Sequence, residues 1–411
     1  MNLSGLEQRI CEQLRDLSAF TATPGQGVTR FPFTVEARQA SEYLRQLMLE
    51  RGLQVYMDNS GSIVGRMAGQ VPETLMIGSH LDSVYKGGAY DGIAGVVGAI
   101  ETLRLLAEAG YKPYYSLEVI ATNDEEGARF KSGLFTGKVL GGLLSPEDIR
   151  NYKDNDGVSV YDAMVDYGLQ PEEIAKHQRT DIKAFLEIHI EQGPILENAG
   201  KDIGIVDNIV GIKRVMVTIR GRADHVGTMP MNMRKDALEA AAKVIADIGD
   251  VARQYSQAVA TVGHMSVEPN IVNIIPEKVC FTVDFRGITS AVIEAQHQAL
   301  LTNLQNITDR FGMNFSIMNT VDASPVEMSA VFRNFAEESC IANRYSYMHL
   351  ASGAGHDAGI FGSRMPAGMI FVPSIGGRSH CVEEKTDSRT LAMASLVALD
   401  ILRKIDQART L

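Results

Sequence analysis

The stretch TLMIGSHLDSVYKGGAYD, residues 74–91, decides the fold. Thr74, Leu75, Met76 and Ile77 form an apolar run that reads as a strand, and the run stops at a Gly-Ser step. His80 and Asp82 follow at once. The strand therefore delivers an imidazole to the carboxyl end of a sheet, the edge where open α/β sheets bind ligands. Gly87 and Gly88 let the chain double back, and Asp91 opens a helical stretch, Gly92 to Gly110. Imidazole and carboxylate placed this way are candidate metal ligands. Asp82 is a candidate to hold the free ring nitrogen of His80 and fix its tautomer. Taken alone, the motif reads equally well as a satisfied structural histidine.

The order strand (74–79), helix (92–109), strand (115–122) is a crossover, which implies parallel pairing. Upstream, Leu3, Leu6, Ile10, Leu14 and Leu17 sit at helical spacing and give an amphipathic first helix. A Gly/Pro loop, a second helix (34–52) and short strands at 54–57 and 62–67 follow. Downstream, residues 146–180 read as polar and irregular, with a helix near 161–167; strands follow at 183–190 and 200–206. At about Ile209 the pattern changes. Strand 214–220, helix 236–255, strands 258–266 and 279–286, helix 290–311 and strand 314–319 make the β-α-β-β-α-β order of ferredoxin-like domains. After Pro325 come helix 326–342, a loop, strand 368–373, a loop and helix 388–405. We expect a discontinuous α/β domain, residues 1–208 and 326–411, with a central mostly parallel sheet, and an inserted α+β domain at 209–325.

Composition narrows the partners. The 411 residues are too many for one ordinary core. A net charge of -11, with no Lys/Arg run, argues against nucleic acid and against an acidic membrane surface. No apolar run approaches the roughly 18 residues of a membrane span, and the first twenty residues lack an apolar signal core. Cys11, Cys280, Cys340 and Cys381 have no metal-type spacing and read as reduced thiols of a cytoplasmic protein.

Other candidate ligands fall at strand ends too. Strand 115–122 leads into NDEEGARF, with Glu125 and Glu126 just past its end; strand 183–190 carries His189; Ser379, His380 and Cys381 follow strand 368–373 and a Gly-Gly turn. Adjacent carboxylates on a loop point in different directions, so one can bind metal while the next acts as a base. The two glutamates by themselves read as a solvated acidic turn. Together the set describes a di-metal hydrolase. No His-x-x-x-His or Cys pair gives a compact single-zinc signature, and the glycine-rich loop lacks the Gly-Lys-Ser/Thr ending of a phosphate loop.

The motifs GSHLDSVYKGGAYDG, DEEGARF, EIHIEQGPILE, ADHVGTMPM, PNIVNIIPE, DFR and SGAGHDAGIF with SIGGRSH occur in this order. In them the chain resembles the di-metal hydantoinase/carbamoylase amidases, a family that includes N-carbamoyl-L-amino-acid hydrolases, β-ureidopropionase and allantoate amidohydrolase. The resemblance implies a di-zinc-peptidase-like catalytic domain and two divalent ions per subunit, zinc or manganese. It implies that Asp91 bridges the ions, that His80 and His189 hold one, that Glu126 and His380 hold the other, and that Glu125 is the general base. It implies that the inserted domain is a dimerisation and lid domain, and that His225 reaches the partner subunit's site of a homodimer to stabilise the oxyanion. It implies Asn273 and Arg286 at the substrate carboxylate, Gln192 near the metals, and Gly355 and His356 at the substrate's other end. Val226 and Met229 stand where many members have alanine and threonine. The stretch IVGIKR, with Arg214, resembles the allantoate-hydrolysing subgroup, in which this arginine meets a second polar end of the substrate. The expected reaction is hydrolysis of a ureido C–N bond, allantoate to ureidoglycine, ammonia and carbon dioxide in purine catabolism. The alternatives are hydrolysis of N-carbamoyl-L-amino acids, ureidoglycolate or β-ureidopropionate. More remote are a di-metal peptidase and a non-catalytic dimeric binding protein.

Overall fold

A computed structural model describes residues 3–409. The chain forms two compact units, Met1–Asp207 with Glu327–Leu411, and Asn208–Val326.

The first unit is built on a nine-stranded sheet. Its path runs Gln54–Met57, Ile63–Met67, Ser116–Thr122, Thr74–His80, Ile182–Ile190, Ala367–Val372, Ile203–Ile209 and Val326–Glu327, and Tyr347–Ser352 pairs with Ile203–Ile209 off that path. The three pairings from Ser116–Thr122 to Ala367–Val372 are parallel. The flanking pairs are antiparallel, so the sheet is mixed with a parallel centre. The central strands are buried along almost their whole length, as strands covered on both faces are. Helix Ile93–Glu108 is apolar on nearly every side because it lies against the sheet and under other helices. Gly95 sets its closeness: a Cβ there would lie 1.8 Å from the Ile188 carbonyl oxygen. The first helix, Leu3–Ser18, buries Leu6, Ile10, Leu14 and Leu17, the stripe read from its spacing.

Several elements differ from the sequence reading. Residues 146–180 are not irregular. Besides the expected helix, found at Val160–Asp166, they hold the helix Pro146–Asn151 and a 3-10 turn Pro171–Lys176 around a small core of Phe135, Ile149, Val160 and Ile174. The helix expected from 326 begins at Ala330, after the bridge Val326–Glu327. The loop expected beyond it contains the strand Tyr347–Ser352 and the short helix Asp357–Gly362.

The second unit has strands Gly211–Arg220, Val259–Thr261, Met265–Glu268, Lys278–Gly287 and Asn314–Ala323, with helices Ala237–Arg253 and Ser290–Phe311. The strand expected at 258–266 is two short pieces, both paired with Lys278–Gly287. All pairings in this five-stranded sheet are antiparallel, with Gly211–Arg220 and Lys278–Gly287 in the middle. Its core is Val215, Val217 and Ile219 against Val279, Phe281, Val283 and Phe285, covered by Ala240, Val244, Leu300 and Leu304 of the helices. Among the described residues no helix is long and apolar enough to cross a membrane.

Candidate metal centre

His80 is the last residue of its strand and pairs with Thr122, so both parallel neighbours end level. The next strand brings His189 to the same edge, one residue before its end. Beyond Thr122, Asp124 takes a left-handed turn (φ 56°) into Glu125 and Glu126. Ala367–Val372 ends at that edge as well, and the loop after it carries His380. Asp91 lies just ahead of helix Ile93–Glu108. Gly92, at φ 66°, lets the helix begin flat against the histidine, since a Cβ there would sit 2.4 Å from the His80 ring.

The ring tautomers follow from the backbone. His80 Nδ1 lies 3.0 Å from the Asp82 carbonyl and His189 Nδ1 lies 2.8 Å from the Ile190 carbonyl. A carbonyl only accepts, so each Nδ1 carries a proton and each Nε2 is the ring atom left to face the cluster. Those two Nε2 atoms are 3.2 Å apart. Asp91 Oδ1 completes the triangle at 3.4 Å from His80 and 3.1 Å from His189, and it is buried with no hydrogen-bond partner. Two imidazole nitrogens and a carboxylate oxygen converging on one point make a ligand set that a bound cation satisfies. The other oxygen of Asp91 looks the opposite way: Oδ2 is 3.1 Å from His380 Nε2, which is 3.2 Å from Glu126 Oε1. Either group, His80 with Asp91 and His189, or Asp91 with Glu126 and His380, could hold a metal ion. Gln192 Nε2 donates to Asp91 Oδ2 at 2.9 Å and lies 3.3 Å from His380 Nε2.

Glu125 is buried beside this cluster, with Oε2 4.0 Å from His80 Nε2 and Oε1 without a hydrogen-bond partner. Burial lifts its pKa well above the carboxylate range against the pull of His80, and the charges of Glu126, Asp357 and Asp82 lift it further. A carboxyl lifted in this way is a better proton acceptor than an ordinary glutamate, as a general base needs to be.

Asp82 meets the His80 ring through its backbone rather than its side chain. Its carboxylate is 3.8 Å from His80 Nδ1, and the ring is held by the Asp82 backbone carbonyl instead. The carboxylate accepts the Glu125 amide at 3.0 Å and the Glu126 amide at 3.1 Å, so it fixes the loop that carries both glutamates. His356 lies beside the same cluster. It is 1 % exposed, its ring packs 4.5 Å from His189, its Nε2 meets Ser352 Oγ at 3.0 Å, and its Nδ1 is 3.8 Å from Glu125 Oε1. Burial, with the charges of His189 and His80, holds its pKa well below the ordinary imidazole value. Gly355 faces open space.

The remaining candidates belong to the second unit. Arg214 and Arg286 flank one carboxylate: Arg214 reaches Asp284 Oδ2 with Nε at 2.9 Å and Nη2 at 2.6 Å, and Arg286 Nε reaches Oδ1 at 3.0 Å. His225 pairs as an isolated bridge with Ile274, and the Asn273 carbonyl accepts from Val226, so His225 and Asn273 are neighbours on two exposed loops. Gly227 N–H donates to His225 Nδ1 at 3.0 Å, which leaves the Nε2 proton as a donor.

Sequence reasoning passed over Ser379, whose hydroxyl is 2.8 Å from Asp91 Oδ2, and Glu187, which accepts from Ser79 Oγ at 2.9 Å and the Ala358 amide at 3.0 Å. Ser379 had a signal in its place next to His380. Glu187 had none, since it looks like one more residue of a strand.

Residues 76–404 match the family described as Peptidase family M20/M25/M40. The chain is 38% identical over 405 residues, 97% of its length and 98% of the relative's, to an N-carbamoyl-L-amino-acid amidohydrolase of Paenarthrobacter aurescens. It is 36% identical over 403 residues, again 97% and 98%, to an allantoate amidohydrolase of Bacillus subtilis. A crystal structure of a hydantoinase/carbamoylase family amidase from Burkholderia multivorans superposes with a TM-score of 0.88 at 31% identity, over 96% of this chain and 97% of the other. Matches of this length and depth, meeting a cluster of acceptors at the carboxyl edge of an α/β sheet, establish that the chain belongs to peptidase family M20/M25/M40, with the hydantoinase/carbamoylase-type amidases as its relatives.

Proposed function

We propose that the protein hydrolyses the ureido C–N bond of a small carboxylate-bearing substrate, allantoate first and N-carbamoyl-L-amino acids as the alternative. Relatives bearing both activities stand at nearly equal identity. The observation that carries the reading is the split of Asp91, one oxygen toward His80 and His189 and the other toward His380. That arrangement fits two divalent cations, zinc or manganese, sharing Asp91, with Glu126 completing the second group. Such ions, when bound, supply a water of lowered pKa and a polarised carbonyl.

The residues of the chain do the rest. Glu125 takes the proton of the attacking water as it adds to the ureido carbonyl, then passes that proton to the departing nitrogen. The partner subunit's His225, with its Nε2 proton free to donate, meets the oxyanion in a homodimer built on the inserted unit. Asn273 and Arg286 hold the carboxylate, and Arg214 takes the substrate's second polar end; a planar guanidinium suits both tasks. The terminal ureido group leaves as ammonia and carbon dioxide. All four cysteines are unpaired, which favours a reducing compartment such as the cytoplasm.

The test is ammonia release by protein reloaded with manganese or zinc, on allantoate, N-carbamoyl-L-amino acids and N-carbamoyl-β-alanine. Preference for allantoate supports the whole reading, and preference for a carbamoyl amino acid moves only the substrate. No release from any of them sinks it. Glu125→Gln is expected to cut turnover at least ~100-fold with metal content unchanged, the scale of a lost general base; near-normal turnover would remove Glu125 from that role.

A further inference from the structure

We infer that Glu384 is a positioning residue that couples the two loops carrying Asp91 and His380, and so sets the affinity of the cation held by Asp91, Glu126 and His380. The inference rests on the two-ion reading above. Glu384 is 4 % exposed. Its Oε1 accepts the Tyr90 amide at 3.0 Å and the Asp91 amide at 2.9 Å. Its Oε2 accepts the Ser379 hydroxyl at 2.9 Å and the His380 amide at 3.2 Å. One carboxylate thus gives each of its oxygens to a different ligand-bearing loop, and the loops are nearly three hundred residues apart in sequence.

A generic strut would not need this chemistry. All four partners are donors, so only a group with acceptors on both sides satisfies them. A glutamine would turn an NH2 toward two N–H groups or toward an N–H and a hydroxyl. The chain has also cleared space for this carboxylate. A Cβ on Gly88 would lie 2.1 Å from Glu384 Oε1 and 2.3 Å from its Cβ, so the second glycine of the KGG turn exists to let the loop lie flat on Glu384. The same loop is pinned from the other side by Ser379, whose hydroxyl touches both Asp91 Oδ2 (2.8 Å) and Glu384 Oε2 (2.9 Å).

His80 and His189 hang on the backbone carbonyls of Asp82 and Ile190 and make no contact with Glu384. Loss of Glu384 should therefore weaken the two cations unequally. Residues that orient ligands typically change metal affinity by about 10–100-fold.

The experiment titrates manganese(II) into the metal-free full-length protein, with binding read by calorimetry and by the EPR signal of free manganese. Wild type should take two ions per subunit. Glu384→Gln should retain the first and bind the second about 10–100-fold more weakly, with folding confirmed by circular dichroism. Two ions bound with wild-type affinities by folded Glu384→Gln would overturn the inference, and so would an equal loss of both. If that variant does not fold, Ser379→Ala and Gly88→Ala decide. Each should weaken the second ion selectively, and unchanged or evenly reduced binding in both overturns the inference. A wild type that binds fewer than two ions would instead refute the two-ion reading itself.

Discussion

Asp82→Asn is the substitution on which the geometry makes its sharpest demand. The carboxylate accepts two amide protons, from Glu125 and Glu126, at 3.0 and 3.1 Å. Asparagine keeps one acceptor and turns an NH2 toward the other amide. The site loses one charge-assisted hydrogen bond and gains one unsatisfied buried donor, together about 3 kcal/mol. If that cost falls on the geometry of Glu125 in the transition state, turnover falls about 100-fold. The assay is ammonia release at saturating substrate and metal, with metal content measured in parallel. Burial lifts Asp82 to a pKa of about 6, against His80 and with Glu126. Above that pH the carboxylate is ionised and the full difference from wild type should appear. Below it wild type protonates Asp82 and the ratio should narrow. Turnover within threefold of wild type at pH 8 would refute the reasoning. So would selective loss of the ion bound by His80 and His189, which would show that the side chain governs the imidazole after all.

Other perturbations test other parts. Asp357 is fully buried, and burial, with Glu187, lifts its pKa from 3.8 to about 6 against the hydrogen bonds of Thr122 and the Gly137 backbone. The fold keeps its proton in a window where the unfolded chain has lost it, so stability drains away as pH rises through that window; Asp357→Asn should gain up to about 3 kcal/mol at neutral pH and nothing near pH 4. An equal change at both pH values in urea denaturation would contradict this. His380 is raised to about 10 by Asp91 and Glu126, so the metal-free protein carries that proton at pH 8, and metal uptake must expel it. Calorimetry in buffers of different ionisation enthalpy should detect its release, and His380→Ala should lower the number of protons released. Arg30 is 2 % exposed and donates to the carbonyls of Leu81 (2.8 Å), Leu17 (3.0 Å) and Phe20 (3.2 Å). Arg30→Met should cost about 3 kcal/mol by orphaning those acceptors; a midpoint unchanged in denaturant would speak against it.

The sheet edge was legible because each motif follows an apolar run, and a strand's end is where its run stops. The second unit was legible because its helices and alternating strands repeat in a recognised order. What stayed hidden has physical reasons. Tyr347–Ser352 is short and half-buried, so its residues show neither a clean alternation nor an apolar block. The strand at 258–266 is broken at residues 262–264, around Gly263, which sequence reading passed over. The helix at Pro146–Asn151 did carry a signal, the Ser145–Asp148 capping box, which went unread among polar residues. Asp82 was recognised as a partner of His80, but the sequence does not say which of its two acceptors faces the ring. Glu384 was invisible for a simpler reason: its partners at Tyr90 and Asp91 come from a distant loop, and a charged residue in a polar turn looks solvated.

The way the chain leaves and re-enters its first unit has an evolutionary consequence. It departs after Asp207 and returns at Glu327, where the Met328 amide donates to the Asp207 carbonyl at 2.8 Å. The two cut ends are thus already joined by a backbone hydrogen bond, as the flanks of a tight turn would be. A connection of four residues could stand where roughly 120 now do, and lengthening it that far costs only about 3 kcal/mol of closure entropy. Nothing in the host's ladder had to be rewritten to admit the guest. A lineage could gain, exchange or shed that module by a single recombination at this seam, and leave the cation-binding edge of the host as it was.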